Sequence, residues 1–326
     1  MTDAHGFLKA TELNAATLCL VKNVQATAFA QELKSLQHDK PLSTDSKLRS
    51  LNPFLDEVKA VHLEIAFDLT TEGFLNTLKR FIARRGKLSN IFSDNATTFT
   101  SANKELKRLL AEFMKSDHHE GLAQVAAEEG INWHFIPPRA PNFGGIWEAA
   151  VKSSKSHFRR VTGTSLLTMD EMQTLTNQIE SILNSSPLTI LSNYLNDLSF
   201  LSPGHFLIGD TLITVPEPTL INVKENRLSR WQRTEQIKQH FWNRWSKDYL
   251  NQLQQRNKWQ RKGTSINKGN LVILREDNTP PLCWPCGRVQ EVHPGTDGVI
   301  RAVTVKTSRG IFKRTTNRLC IMPSND

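Results

Sequence analysis

Cysteine is scarce in this chain, with four in 326 residues, at positions 19, 283, 286 and 320. So few thiols, so far apart, exclude a disulfide framework and fit an intracellular setting. Long apolar runs are missing as well, so no segment reads as a bilayer-crossing helix. No signal-peptide pattern stands at the start. A soluble protein with no membrane partner is therefore expected. Cys283-Trp284-Pro285-Cys286 is formally a CxxC, but no second pair lies near it, and it reads better as two strand residues beside a buried Trp. His118 and His119 follow Asp117 with no third ligand at helical or finger spacing. No zinc is expected. Acidic residues run short at one end only. The whole chain has 41 Lys+Arg against 32 Asp+Glu, a net charge of +9, whereas residues 216–326 carry 20 basic and 9 acidic residues. All of the excess sits in that last third, as in a nucleic-acid-binding end. The alternative is a solvated basic surface with no partner.

What the chain does contain is enough apolar mass for a real core: 38% hydrophobic, with sixteen Phe and seven Trp. Its length allows two domains with extensions. Residues 1–57 read as two amphipathic helical stretches and a polar linker, with no visible chemistry. Residues 58–68, VKAVHLEIAFD, give a strand signal. A helix start at Thr70-Thr71-Glu72 follows, with Phe74, Leu75, Leu78, Phe81 and Ile82 at helical spacing up to Gly86 and Arg80, Arg84 and Arg85 on the polar side. A short strand then ends in Asp94 and Asn95. The order strand, helix, strand is an α/β arrangement, and a carboxylate at such a strand end is placed for catalysis or for an Asx turn. A helix over 101–114 should bury Leu106, Leu109, Leu110 and Phe113. A second helix over 123–129 and a strand from Ile131 lead to Pro-Asn-Phe-Gly-Gly, a tight loop at 141–145.

Beyond that loop Trp147, Ala150, Val151, Phe158 and Val161 fall on one helical face. Glu148 lies just off it, and Lys152, Lys155 and Arg159 continue its row, with Arg160 beside them. A carboxylate heading a basic ridge suits a metal at one end and phosphates along the length. It equally suits a first-turn Glu stabilised by the helix dipole and by Lys152. Thr168 and Glu171 make a capping box for a helix over 169–183. In LSFLSPGHFLIG, His205 reads as a satisfied core histidine. Residues 224–262 are the most basic stretch, a long helix with Arg230, Arg233, Lys238 and Arg244 as candidate phosphate contacts. Trp231, Trp242, Trp245 and Tyr249 are interleaved as core. The tail from Lys268 reads as five short strands, a small SH3-like barrel.

Taken together these stretches resemble a known family. KAVHLE, FIARRGKLSNIFSDNATTF, INWHFIPPRAPNFGGIWEAAVK, LNSSPLT and LSPGHFLIGD resemble the integrase core of BEL/Pao-type LTR retrotransposons. The basic helix and WPCGRVQEVHPGTDGVIRAVTVKTSRGIFKR resemble the domain that follows it, and SKLRSLNPFLDE resembles the linker upstream. The resemblance implies an α/β chain: a linker remnant (1–57), a ribonuclease H-like integrase core (58–215), a basic helical connector (216–265) and a β-barrel (266–326). It implies Mg²⁺ or Mn²⁺ held by three carboxylates for strand transfer on DNA, with Asp94 matching the second and Glu148 the third. The implied partners are DNA, both element ends and target, and further copies of the chain, in the nucleus. The departures are specific. Glu57 runs directly into Val58, where the family has a His/Cys zinc module and two strands, the first bearing the first catalytic Asp. Ala96 stands for the usual Gly and Ser186 for the usual Arg. Asp56 and Glu64 match no motif position. The core is thus expected to lack its first strands, and strand transfer to be impaired.

Overall fold

A computed structural model describes residues 60–86, 88–114, 131–135, 158–162, 165–192, 194–255 and 266–323, together with the backbone of a two-residue strand, β1 (Phe7–Leu8). The expected helices in 1–57 and at 123–129 lie outside the described residues. The chain is mixed α/β and divides into two compact units between Asn177 and Gln178.

In the first unit, α1 (Thr71–Arg85) begins where the sequence places it. Thr70 caps it, its Oγ1 accepting from Gly73 N at 3.0 Å, and Gly86 ends it at φ 86°, a backbone region that favours glycine. Its apolar face buries Leu78 and Phe81 against Leu88, with Phe74, Ile82, Ile91 and Leu106 packed around them. Phe81 is 1% exposed, a burial that stabilises by about 1.5–3 kcal/mol. β2 (Asn90–Ser93) pairs in parallel with β3 (Asn132–Phe135), Asn90 opposite Asn132 and Ser93 opposite Phe135. Between them runs α2 (Thr97–Met114), which buries Ala102. Its expected apolar face is only partly used, for Leu106 packs on the core while Leu109 is exposed.

The strand expected over 58–68 is not part of any ladder among the described residues. Residues 61–66 are nevertheless all buried, without the in–out alternation of a half-covered strand. The alternating polar residues that suggest a half-solvated strand are His62 and Glu64, and both are internal. Glu64 Oε1 accepts from Arg80 Nε at 3.0 Å, and its carboxylate also pairs with Arg84 and with His62 at 3.3 Å. Arg80 and Arg84 of α1 therefore reach inward, not only to solvent. β4 (Leu167–Thr168) pairs with β1 and runs straight into α3 (Met169–Asn184). The capping box is formed: Thr168 N donates to Glu171 Oε2 at 2.8 Å and Glu171 N to Thr168 Oγ1 at 3.2 Å.

The second unit begins within α3. After β5 (Thr189–Ile190), β6 (Phe200–Leu201) and α4 (Pro203–Ile208) come the long helix α5 (Arg230–Gln255) and five strands: β7 (Leu271–Leu274), β8 (Cys286–Pro294), β9 (Ile300–Thr307), β10 (Gly310–Thr315) and β11 (Leu319–Ile321). They form one antiparallel sheet in the order β10-β9-β8-β7-β11. It curls round Ile266, Val272, Leu274, Val289, Val303, Val305 and Leu319. Every expected strand of the tail is present within a few residues. Gly287 shows why the sequence needs a glycine there: a Cβ would lie 2.4 Å from Val305 Cγ1.

Residues 178–215 group with α5 and the five-stranded sheet, not with the first unit, unlike the boundary expected at 215/216. The cause is a set of hydrogen bonds. Trp284 Nε1 donates to Ser185 Oγ (3.2 Å), Trp245 Nε1 to Ser186 Oγ (3.1 Å), and the Tyr249 hydroxyl to Pro187 O. Arg288 is buried and donates to Asp197 O (3.1 Å), Gly269 O (2.9 Å) and Ser192 O (2.5 Å). Ser186 thus serves as an acceptor for the helix's Trp245.

Candidate functional site

Asp94 directly follows β2, at the carboxyl end of a parallel strand and exposed. The neighbouring strand fixes its approach, since Trp133 Nε1 donates to Ser93 Oγ at 2.8 Å and Ser93 Oγ donates to Asp94 O at 2.9 Å. Asp94 Oδ1 accepts from Ala96 N at 2.9 Å, an Asx turn leading into α2. One carboxylate oxygen is thereby engaged in structure. Glu148, the other expected catalytic and metal-ligating carboxylate, lies outside the described residues, as do Lys152 and Lys155. Arg159 and Arg160 are exposed on a helical segment, 158–162.

The described residues do not by themselves make a divalent-cation site. No three His, Cys, Asp or Glu residues gather among them. Glu64, a buried acid of the same unit, is held by two guanidinium groups and His62, a setting that neutralises it.

On α5 the candidates separate by position. Arg230 and Arg244 are exposed. Arg233 pairs with Glu225 at 3.3 Å. Lys238 requires a correction: it is 2% exposed, so it offers nothing to a phosphate. Its ammonium bonds Glu217 Oε2 at 2.6 Å and pairs with Glu235, which also accepts from Gln178 Nε2 at 2.8 Å. Burial, and then the Glu235 hydrogen bond, raise the Glu217 carboxyl above its ordinary value. Burial works upward on Glu235 too, but hydrogen bonds with Glu217, Lys238 and Gln178 leave it lowered. The basic ridge expected along α5 fails there because residues 234–239 are all buried. A strap over 217–223 covers the helix: Gln236 Nε2 donates to Leu220 O and Val223 O at 2.7 Å each, and Gln239 Nε2 to Pro218 O at 2.9 Å. The interleaved aromatics are core as expected for Trp242 (1% exposed), which lies edge-on to Trp284 at 4.8 Å, and for the half-buried Trp245 and Tyr249. Trp231 is the exception, at 62% exposed.

The CxxC is explained by Trp284, which packs between Trp242 and Tyr249. Cys286 donates to Trp284 O at 3.3 Å, and burial pushes its thiol up to about 12. His205 is buried, with Ser202 N donating to its Nδ1 at 3.1 Å.

Further cations, not among the sequence candidates, lie on the outer face of the sheet. Val303 and Val305 point inward, so their alternates Thr304 and Lys306 face outward, beside Lys313 and Ile311 of β10 in register. The period-2 pattern of β9 and β10 carries that signal. Several acids of this unit are engaged locally: Asp277 with Lys247 and Arg318, Glu276 with Arg314, Asp297 with Arg301, whereas Glu291 is exposed in register with Thr304. Lys224, Arg227, Arg244, Lys306, Arg309 and Lys313 are exposed and have no carboxylate partner among the described residues.

Among known proteins, similarity is found at two levels. Residues 229–322, that is α5 with the five strands, match a family of unknown function, DUF5641. No curated protein matches the sequence at a significant level. A solved structure of the simian T-cell lymphotropic virus intasome, in complex with PP2A regulatory subunit B56 gamma, is similar at 13% identity over 82% of this chain and 69% of that chain. Its TM-score is 0.30, too low to define a common fold. No described helix is long and apolar enough to cross a membrane.

Proposed function

We propose that this chain is an integrase-derived DNA-binding protein of the BEL/Pao type, in which polynucleotidyl transfer is impaired and DNA binding by the C-terminal unit remains. The observation that carries the reading is the set of exposed cations on that unit, left without carboxylate partners after local pairing. Such a surface favours the phosphate backbone, independently of sequence and with strong salt dependence. The sequence motifs support the integrase origin, and the strand-end position of Asp94 is compatible with it. The missing first carboxylate supports the loss of transfer, because two carboxylates hold a metal pair poorly. A nuclear location and assembly with further copies belong to the same reading.

The test is strand transfer on a labelled terminal-repeat oligonucleotide with Mg²⁺ or Mn²⁺, run beside duplex binding. Binding without transfer is expected. Transfer that disappears in Asp94→Asn would mean that another carboxylate completes the site, and the protein would then be an active integrase.

A further inference from the structure

Trp231 stands apart from every other described tryptophan. Trp133, Trp242, Trp245 and Trp284 each donate their indole N–H to a protein oxygen, at 2.8, 2.8, 3.1 and 3.2 Å. Trp231, at 62% exposed, has no hydrogen bond from its indole and no ring or cation contact among the described residues. Its indole ring is left open for another planar ring to cover.

Its surroundings indicate what would cover it. Trp231 sits in the first turn of α5, behind a 3-10 turn at Glu225–Arg227. Ser229 and Gln232 cap the helix reciprocally, Ser229 N donating to Gln232 Oε1 at 3.0 Å and Gln232 N to Ser229 Oγ at 3.3 Å. Leu228 is buried just before the cap. The Arg233–Glu225 pair links the turn to the helix. Lys224 and Arg227 are exposed on this approach, and Glu225 pairs with Arg233. A planar apolar face with exposed cations a few residues before it in the chain complements a planar ring attached to phosphate. A protein partner would have to bring both an acidic rim and an apolar plug. A nucleotide strand has phosphate and a stacking face in every residue.

We infer that Trp231 is a stacking platform for an unpaired base, with Lys224 and Arg227 holding the flanking phosphates. This rests on the proposed DNA binding and refines it: the ligand here is a single-stranded end or overhang, not the duplex. A base inside a duplex is already stacked and offers the ring nothing.

The test uses the full chain with a blunt duplex and the same duplex carrying a short single-stranded overhang. Wild-type protein binds the overhang substrate more tightly, and its tryptophan fluorescence is quenched on binding. Trp231→Leu abolishes the preference, a loss of about 5- to 150-fold on the overhang substrate alone. Trp231→Phe retains most of it, and thermal unfolding is unchanged in both because the side chain is exposed. Equal binding of the two substrates by wild type, or equal weakening of both by Trp231→Leu, overturns the inference and leaves duplex binding standing. No binding of either substrate overturns the DNA-binding reading, and this inference with it.

Discussion

Individual charged residues in this protein do opposite jobs according to burial. Lys238 and Arg230 both occur in the basic helix and look alike in the sequence, yet one is internal and the other exposed. Removing Lys238 leaves the buried Glu235 and the half-buried Glu217 without their cation. Lys238→Ala should therefore cost about 3–5 kcal/mol, read by urea unfolding, with no change in the salt dependence of DNA binding by the folded fraction. Glu64 is the counterpart in the first unit, an acid with no role visible in the sequence because its two arginine partners lie on α1. The thiols respond to the same physics. Burial raises Cys286 to about 12 and Cys320 to about 11 from the ordinary 9.0, while Cys283 is exposed. Iodoacetamide at neutral pH should label Cys283 first, with the other two slow until the chain unfolds, as mass spectrometry of timed samples would report. The folded state keeps these two thiols protonated where the unfolded chain releases protons. Their contribution to stability is therefore complete below about pH 9 and is lost as the pH rises towards 11–12.

At the level of elements, caps and periodic patterns are legible in the sequence and partners are not. Thr70, the Thr168–Glu171 box and Gly86 mark their helix ends because capping is local chemistry. The five strands of the tail are legible for the same reason, with alternation and hairpin turns encoded within a few residues. The segment 60–66 is not, since whether such a stretch joins a ladder depends on strands elsewhere in the chain. The burial of residues 234–239 is equally invisible, because the covering strap is contributed by residues well outside the helix. Gly287 offers a test at this scale. Gly287→Ala forces a methyl against Val305 and should destabilise the second unit by about 1–3 kcal/mol, measured by thermal unfolding, while leaving the first unit unaffected.

For the molecule as a whole, the charge asymmetry of the sequence overstates the basic surface of the last third. Arg288 and Lys238 are internal, and several cations are matched with local acids. The cations left exposed lie at the start of α5, at Arg244, and on the outer face and hairpin of the sheet. Of the candidate site, Asp94 follows a parallel strand and Arg159, Arg160, Arg230 and Arg244 are exposed. The carboxylate set that the resemblance implies is not gathered among the described residues. The central claim is that the exposed cations of the C-terminal unit bind the DNA backbone. The most direct test is the affinity of the full chain for a random-sequence duplex, measured over a series of salt concentrations and repeated with Lys306→Ala/Lys313→Ala. A steep inverse dependence on salt is expected, with the log–log slope reduced by about 2 in the double variant. Binding that is absent, insensitive to salt, or unchanged in slope by the double substitution would contradict the account.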